Sequence, residues 1–150
     1  MPEGRTMGDV AAAETERAIL RTMYRYLRAL DYGIEEEWLD VFTPDAHYDT
    51  ILTDGSYYVQ LKGHDELRTF LLGYPHPPES YQKHITLSPI IEIDGDEATA
   101  DSGWVFLTRA EDGMTPQVRA FGRYRDRLRQ VDGVWRFTER ICDTEAVVPG

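Results

Sequence analysis

From Gln82 to Thr144 the chain repeats one pattern four times: a stretch of alternating apolar and polar residues, bounded by turns that contain Asp-Gly. The stretches run over 82–93, 98–109, 118–130 and 134–144, and the turns hold Asp94-Gly95-Asp96, Glu111-Asp112-Gly113 and Asp132-Gly133. Alternation with period two belongs to a strand that buries one face, and Asp-Gly readily adopts the left-handed backbone of a tight hairpin. Short turns join antiparallel neighbours, so the second half of the chain predicts an antiparallel meander. Strands this long have to bend if they are to enclose a core.

The first half follows a different period. Between Ala11 and Leu30 the apolar residues Ile19, Leu20, Met23, Tyr24, Leu27 and Leu30 recur at helical spacing, with Asp9 as the expected N-cap. Arg21, Arg25 and Arg28 share the opposite side, while Tyr26 and Asp31 flank the apolar arc. Gly33 ends the helix. Residues 34–42 (IEEEWLDVF) predict a second short helix packed through Trp38, Leu39 and Phe42, with an acidic first turn suited to a helix N-terminus. Thr43-Pro44-Asp45 reads as a turn, and 46–52 with 57–61 read as two short strands around Asp54-Gly55. A third helix is expected over 63–72, starting at His64-Asp65 and stopping at Gly73. Tyr74-Pro75-His76-Pro77-Pro78 must then be loop, because proline lacks the backbone donor. Helices followed by a long sheet give an α+β fold, with the helices on one sheet face and an apolar pocket between the layers. With no internal repeat or linker that would divide the chain, residues 1–150 are expected to form one domain, and residues 1–8 a loose tail.

Charge narrows the partners. The formal net charge is −11, which opposes nucleic acid and anionic lipid, both themselves negative. Cys142, the one cysteine, can form no intramolecular disulfide and no thiolate cluster. Residues 1–13 lack the apolar run of a signal peptide and no stretch approaches a membrane span, so a cytoplasmic protein is expected.

Asp31 admits two readings. It can be a solvated residue ending the helix, or a carboxylate partly buried at the negative end of the dipole, where its charged form is disfavoured and it can serve as proton acceptor or orient a histidine. Of the four histidines, His64 sits at a helix start and His76 among prolines, both surface positions, while His47 and His84 lie in strand patterns. Around His84 the alternation groups His84, Thr86 and Ser88 on one face and Ile85 and Leu87 on the other, leaving open which face lines the pocket. No histidine pair has ligand spacing, so no metal site is expected, and neither a phosphate loop nor a nucleophile elbow is present. Arg119, Arg123, Arg125, Arg127 and Arg129 lie on one strand face and read as a solvated outer surface. Arg140 could reach a pocket or pair with an acid.

The order of elements and several local motifs together resemble the SnoaL-like branch of the nuclear-transport-factor-2-like superfamily. The motifs are Leu27-Arg28-Ala29-Leu30-Asp31, the run 38–48 (WLDVFTPDAHY), the run 61–67 (LKGHDEL), Lys83-His84, Ile93-Asp94-Gly95-Asp96-Glu97-Ala98 and Asp132-Gly133-Val134-Trp135-Arg136-Phe137. The resemblance implies a cone-shaped α+β barrel, a strongly curved antiparallel sheet around three helices. It is nearest to cofactor-free lyases of that branch: scytalone dehydratase, bile-acid 7α-dehydratase and γ-hexachlorocyclohexane dehydrochlorinase. Carried onto this sequence, it implies a histidine base at His84, an orienting aspartate at Asp31, a tyrosine acid at Tyr26 and a pocket arginine at Arg140. Tyr48, Tyr58, Trp104, Phe106, Phe121 and Tyr124 are candidates for aromatic substrate lining, or simply core. The expected function is a dehydratase-type β-elimination, without cofactor, on a small hydrophobic or polycyclic molecule. A ketosteroid-isomerase-like double-bond shift and a non-catalytic ligand-binding module are the alternatives, and the resemblance implies a homodimer or homotrimer.

Overall fold

The computed structural model describes residues 4–149. Helix α1 spans Met7–Tyr32 and starts ahead of the first apolar repeat, because Thr6 caps it. The Thr6 hydroxyl accepts the Asp9 amide at 3.1 Å, and Asp9 Oδ2 accepts the Thr6 amide at 3.1 Å. Asp9 therefore closes a capping box from inside the helix instead of standing at its N-cap. Of the expected loose tail, residues 1–3 lie outside the described residues, and Met7 and Gly8 are helical. The helix ends at Gly33, whose φ of 68° is left-handed and whose missing Cβ makes room for the His76 ring: a Cβ there would sit 2.8 Å from His76 Cγ.

Helix α2 (Glu35–Asp40) is shorter than its apolar pattern suggests, since Phe42 already opens strand β1 (Phe42–Ile51). The expected turn at Thr43-Pro44-Asp45 is instead part of β1, at a slip of register between Phe42 and His47. A bulge tolerates a proline that has no amide to give the ladder. Strand β2 (Tyr57–Lys62) returns along β1, helix α3 covers Gly63–Gly73, and the meander follows as β3 (Gln82–Asp94), β4 (Glu97–Arg109), β5 (Pro116–Val131) and β6 (Val134–Val147).

The strands form one sheet in the order β2-β1-β6-β5-β4-β3, antiparallel except where β1 lies parallel to β6. The sheet is curved and open, with β2 and β3 at its edges. Irregular register recurs at Leu87/Ile90, Phe106/Leu107, Phe121/Gly122 and Arg127/Leu128, and each bulge adds bend and twist. At Gly122 the approach is so close that a Cβ would meet the Asp143 carbonyl at 1.8 Å, so only glycine fits that step.

Helix α1 lies against the inner face. Its Thr22 hydroxyl donates to the Trp135 carbonyl at 2.7 Å, and its Tyr26 ring meets Phe42, Tyr124 and Phe137 edge-to-face and Trp38 at a tilt of 35° in an aromatic core. Trp38 is fixed by its indole N–H, which donates to the Leu67 carbonyl at 2.9 Å and ties α2 to α3. The outer face of the sheet is charged as its alternation predicts: Arg123 pairs with Asp101, Arg125 with Asp143 and Arg127 with Glu139.

Candidate active site

The last turn of α1 and the start of β3 meet at Asp31 and His84. Asp31 is buried, and its Oδ1 lies 2.6 Å from His84 Nδ1, while Oδ2 accepts the His84 backbone amide at 3.0 Å. One carboxylate thus grips both the ring and the strand that carries it. No basic side chain stands in the last turn of α1, so these two donors are what offsets the unfavourable helix dipole at Asp31. One residue further along each element, Lys83 Nζ sits 4.1 Å from the Tyr32 ring centroid and clasps the same junction from outside. A carboxylate only accepts, so Nδ1 carries a proton toward Asp31, and in the neutral form of the ring the lone pair is on Nε2. The ring stacks on Phe106 at 4.6 Å and 23°, which fixes its plane.

His84 and Phe106 open onto a cavity of about 140 Å³ between the sheet and the helices. Leu30, Phe70 and Trp104 supply further apolar wall, and Tyr26, Tyr48, Tyr74 and Tyr124 the hydroxyl-bearing wall. Tyr58, 65% exposed, stands at the mouth. Burial pushes the phenols of Tyr26, Tyr48 and Tyr124 well above their ordinary value, so at neutral pH they are protonated donors. Tyr26 and Tyr48 share one hydrogen bond of 2.8 Å. Two hydroxyls joined by one bond leave one proton to offer elsewhere. Burial likewise raises the Cys142 thiol to about 11, which makes it wall and not nucleophile.

The structure does not bring Arg140 into this cavity. Its guanidinium is fully buried, bound to Asp126 at 2.8 and 3.1 Å and packed on the faces of Tyr124, Tyr26 and Phe137 at 3.6, 4.1 and 4.5 Å. Burial opposes its charge, but the Asp126 carboxylate outweighs that and holds the arginine cationic. Of the two fates its sequence left open, Arg140 takes the pairing with an acid. A bulge turns it inward: β5 pairs Leu128 with Phe137 and Arg127 with Glu139, leaving Thr138 unmatched. Trp135 and Phe137 face in before that step, Arg140 and Cys142 after it.

Phe121 is the second correction. It is 47% exposed and shares the outer face with Arg123 and Arg125, as residues two and four positions on must. The other candidates, Asp31, His84, Tyr26, Tyr48, Trp104, Phe106 and Tyr124, do converge. Sequence reasoning missed Leu30, Thr50, Phe70, Tyr74 and Cys142 in the wall. Thr50 and Cys142 had a signal, since they alternate with the candidates Tyr48 and Arg140.

A wider groove of about 1010 Å³ between α1, α2 and β1 lies elsewhere. Of its carboxylates, Glu37 and Asp40 are already held by Arg25, Arg28 and Arg136. Among the described residues no group of three or more His, Cys, Asp or Glu could hold a metal ion, and no helix is long and apolar enough to cross a membrane.

The model of the SnoaL-like domain matches residues 11–141. This chain belongs to the SnoaL-like family. The curated relative found is the subunit beta 1 of the terminal oxygenase component of terephthalate 1,2-dioxygenase from Comamonas sp, 27% identical over 131 residues, or 79% of this chain and 84% of that one. Among solved structures, the beta subunit of a provisionally assigned aromatic-ring-hydroxylating dioxygenase from Novosphingobium aromaticivorans superposes with a TM-score of 0.79 at 20% identity, over 93% of this chain and 95% of that one. A hexachlorocyclohexane dehydrochlorinase from Novosphingobium barchaimii superposes with a TM-score of 0.75 at 17% identity, over 94% and 93%. At such identities the two structures show that this SnoaL-like protein shares their fold.

Proposed function

We propose that this SnoaL-like cavity is the active site of a cofactor-independent lyase of the dehydratase type. One observation carries the reading: an imidazole oriented at 2.6 Å by a buried carboxylate faces the same small cavity as a pair of protonated tyrosine hydroxyls. His84 Nε2 takes a proton from a substrate carbon, and Asp31 stabilises the imidazolium. The C–H electron pair becomes the new C=C bond. The hydroxyl on the adjacent carbon leaves with its bonding pair, takes the spare proton of the Tyr26–Tyr48 pair and departs as water. The imidazolium proton then restores the phenol through solvent. Each positioned proton transfer contributes about a hundredfold to ten-thousandfold, which is enough for an elimination next to a carbonyl.

The test is to incubate the protein with 3-hydroxycyclohexanone in deuterated buffer and follow both exchange of the α-protons and formation of the enone. Activity that survives in His84→Ala and Asp31→Asn ends this reading. α-Exchange without loss of water favours the isomerase-type use of the same base.

The relation to the terephthalate dioxygenase subunit supports a second reading, an assembly subunit whose cavity does no chemistry. That reading predicts no His84-dependent exchange and a stable complex with a larger oxygenase subunit. Self-association as a dimer or trimer through the outer sheet face, where Ile85, Leu87 and Phe121 are exposed, is compatible with either.

A further inference from the structure

We propose that the cavity takes a compact, uncharged molecule built on a single six-membered ring, and that the indole N–H of Trp104 holds an oxygen of that molecule. The proposal deepens the reading of this cavity as an active site and rests on it for location only.

Size comes first. An apolar cavity of about 150 Å³ accepts benzene, whereas sites for drug-sized ligands run from about 300 Å³ upward. At about 140 Å³ the space inside the mouth fits one ring with small substituents, and a fused polycycle would have to extend out past Tyr58. Charge comes second. The phenols of the wall are kept neutral by burial, and the nearby buried cation, Arg140, lies outside the lining, held by Asp126 through Nε and Nη2 and covered by three aromatic faces, with Nη1 unpartnered among the described residues. A substrate carboxylate entering here would lose its water, find no lysine or arginine among the lining residues and approach the Asp31 side of the dyad.

The third point is a missing partner. Trp104 lines the cavity and is only 7% exposed; its Nε1 has no hydrogen-bond partner among the described residues and almost no open surface, so a small turn of the indole presents it to a ligand oxygen. Thr86, which faces Trp104 across the β3–β4 register, does not satisfy it, since the Thr86 hydroxyl is itself unpartnered. Buried indoles ordinarily find an acceptor, because an unpaired N–H keeps the full cost of its lost hydration. The row next to Thr86 and Trp104 on the same face is His84 and Phe106, about 7 Å away along the strands. A single ring spans that interval, with its oxygen on Trp104 and an edge C–H toward the base.

The experiment follows the indole N–H resonances of ¹⁵N-labelled protein, with that of Trp104 identified by its loss in Trp104→Phe. The probes are cyclohexanone, the two-ring ketone 2-decalone and the charged cyclohexanecarboxylate, with affinities read by ligand-observed NMR. Cyclohexanone should move the Trp104 resonance saturably, while the larger and the charged probe bind at least about tenfold more weakly. Trp104→Phe should weaken cyclohexanone binding by about tenfold, the loss of one buried hydrogen bond. A Trp104 signal that stays put at saturating cyclohexanone overturns the proposal, as does no binding at all, or equal affinity for 2-decalone or cyclohexanecarboxylate. Should Trp104→Phe not fold, the Trp104 indole resonance is assigned in the unaltered protein from its through-bond and nuclear Overhauser connections, and its shift still decides. None of these readouts needs turnover. Binding as described without elimination overturns only the lyase reading, and elimination without the Trp104 shift overturns only this one.

Discussion

Asp31 and Asp126 are both buried carboxylates that grip a nitrogen base: Asp31 holds His84 at the cavity wall, Asp126 holds Arg140 against aromatic faces. The pairs differ in the base and in access. Imidazole exchanges a proton near neutral pH and has a second nitrogen facing open space, whereas a guanidinium stays charged and here has its faces covered. The open pair can therefore do acid–base chemistry, and the sealed pair can only hold structure in place. A buried ion pair is costly to break and yet replaceable by apolar groups of the same volume, so the sealed pair is tied to stability in a way that the open one is not.

The largest expected effect separates the pairs by activity. On any substrate the protein turns over, His84→Gln should lower kcat/KM by about a thousandfold while the denaturation midpoint stays close to that of the parent. Full activity in His84→Gln would remove the distinction. Next, Asp126→Asn should cost about 3–5 kcal/mol of unfolding free energy in a denaturant titration, because it leaves Arg140 buried without its counter-charge. A loss below about 1 kcal/mol would mean that the sealed pair is not sealed. Replacing both members, Asp126→Leu with Arg140→Met, should return most of that stability and keep the activity, an exchange that the Asp31–His84 pair cannot undergo without losing function. The smallest effect is alkaline. The Cys142 thiol, at about 11 when folded against an ordinary 9.0, binds its proton more tightly in the folded state. Stability from this group is complete below about pH 9 and is lost as pH rises toward 11, on the order of 1 kcal/mol by pH 10. The denaturation midpoint should fall over that window, and fall less steeply in Cys142→Ala.

Most strand bounds in the meander shift by no more than a few residues from those expected, because period-two alternation and Asp-Gly turns are local signals. The helical period gave α1 its body but not its start, since the capping box at Thr6 and Asp9 precedes the apolar repeat. Phe121 was legible and misplaced: its spacing from Arg123 and Arg125 already put it outside. Arg140 was not legible, because strict alternation from Trp135 and Phe137 sends it outward and only the bulge at Thr138 turns it in. Phe70 and Tyr74 reach the cavity from the end of α3, which no spacing in the meander could indicate.

The amino-acid order alone determined the α+β class, the two periods and the chemical types available, because each depends on neighbours a few positions apart. Only the tertiary structure decided that β1 runs parallel beside β6, that Asp31 meets His84 across 53 positions of chain, and that Arg140 is sealed away. Those outcomes depend on how bulges bend a sheet and on which side chains the bend brings within hydrogen-bond reach, and burial then fixes which of them stay charged.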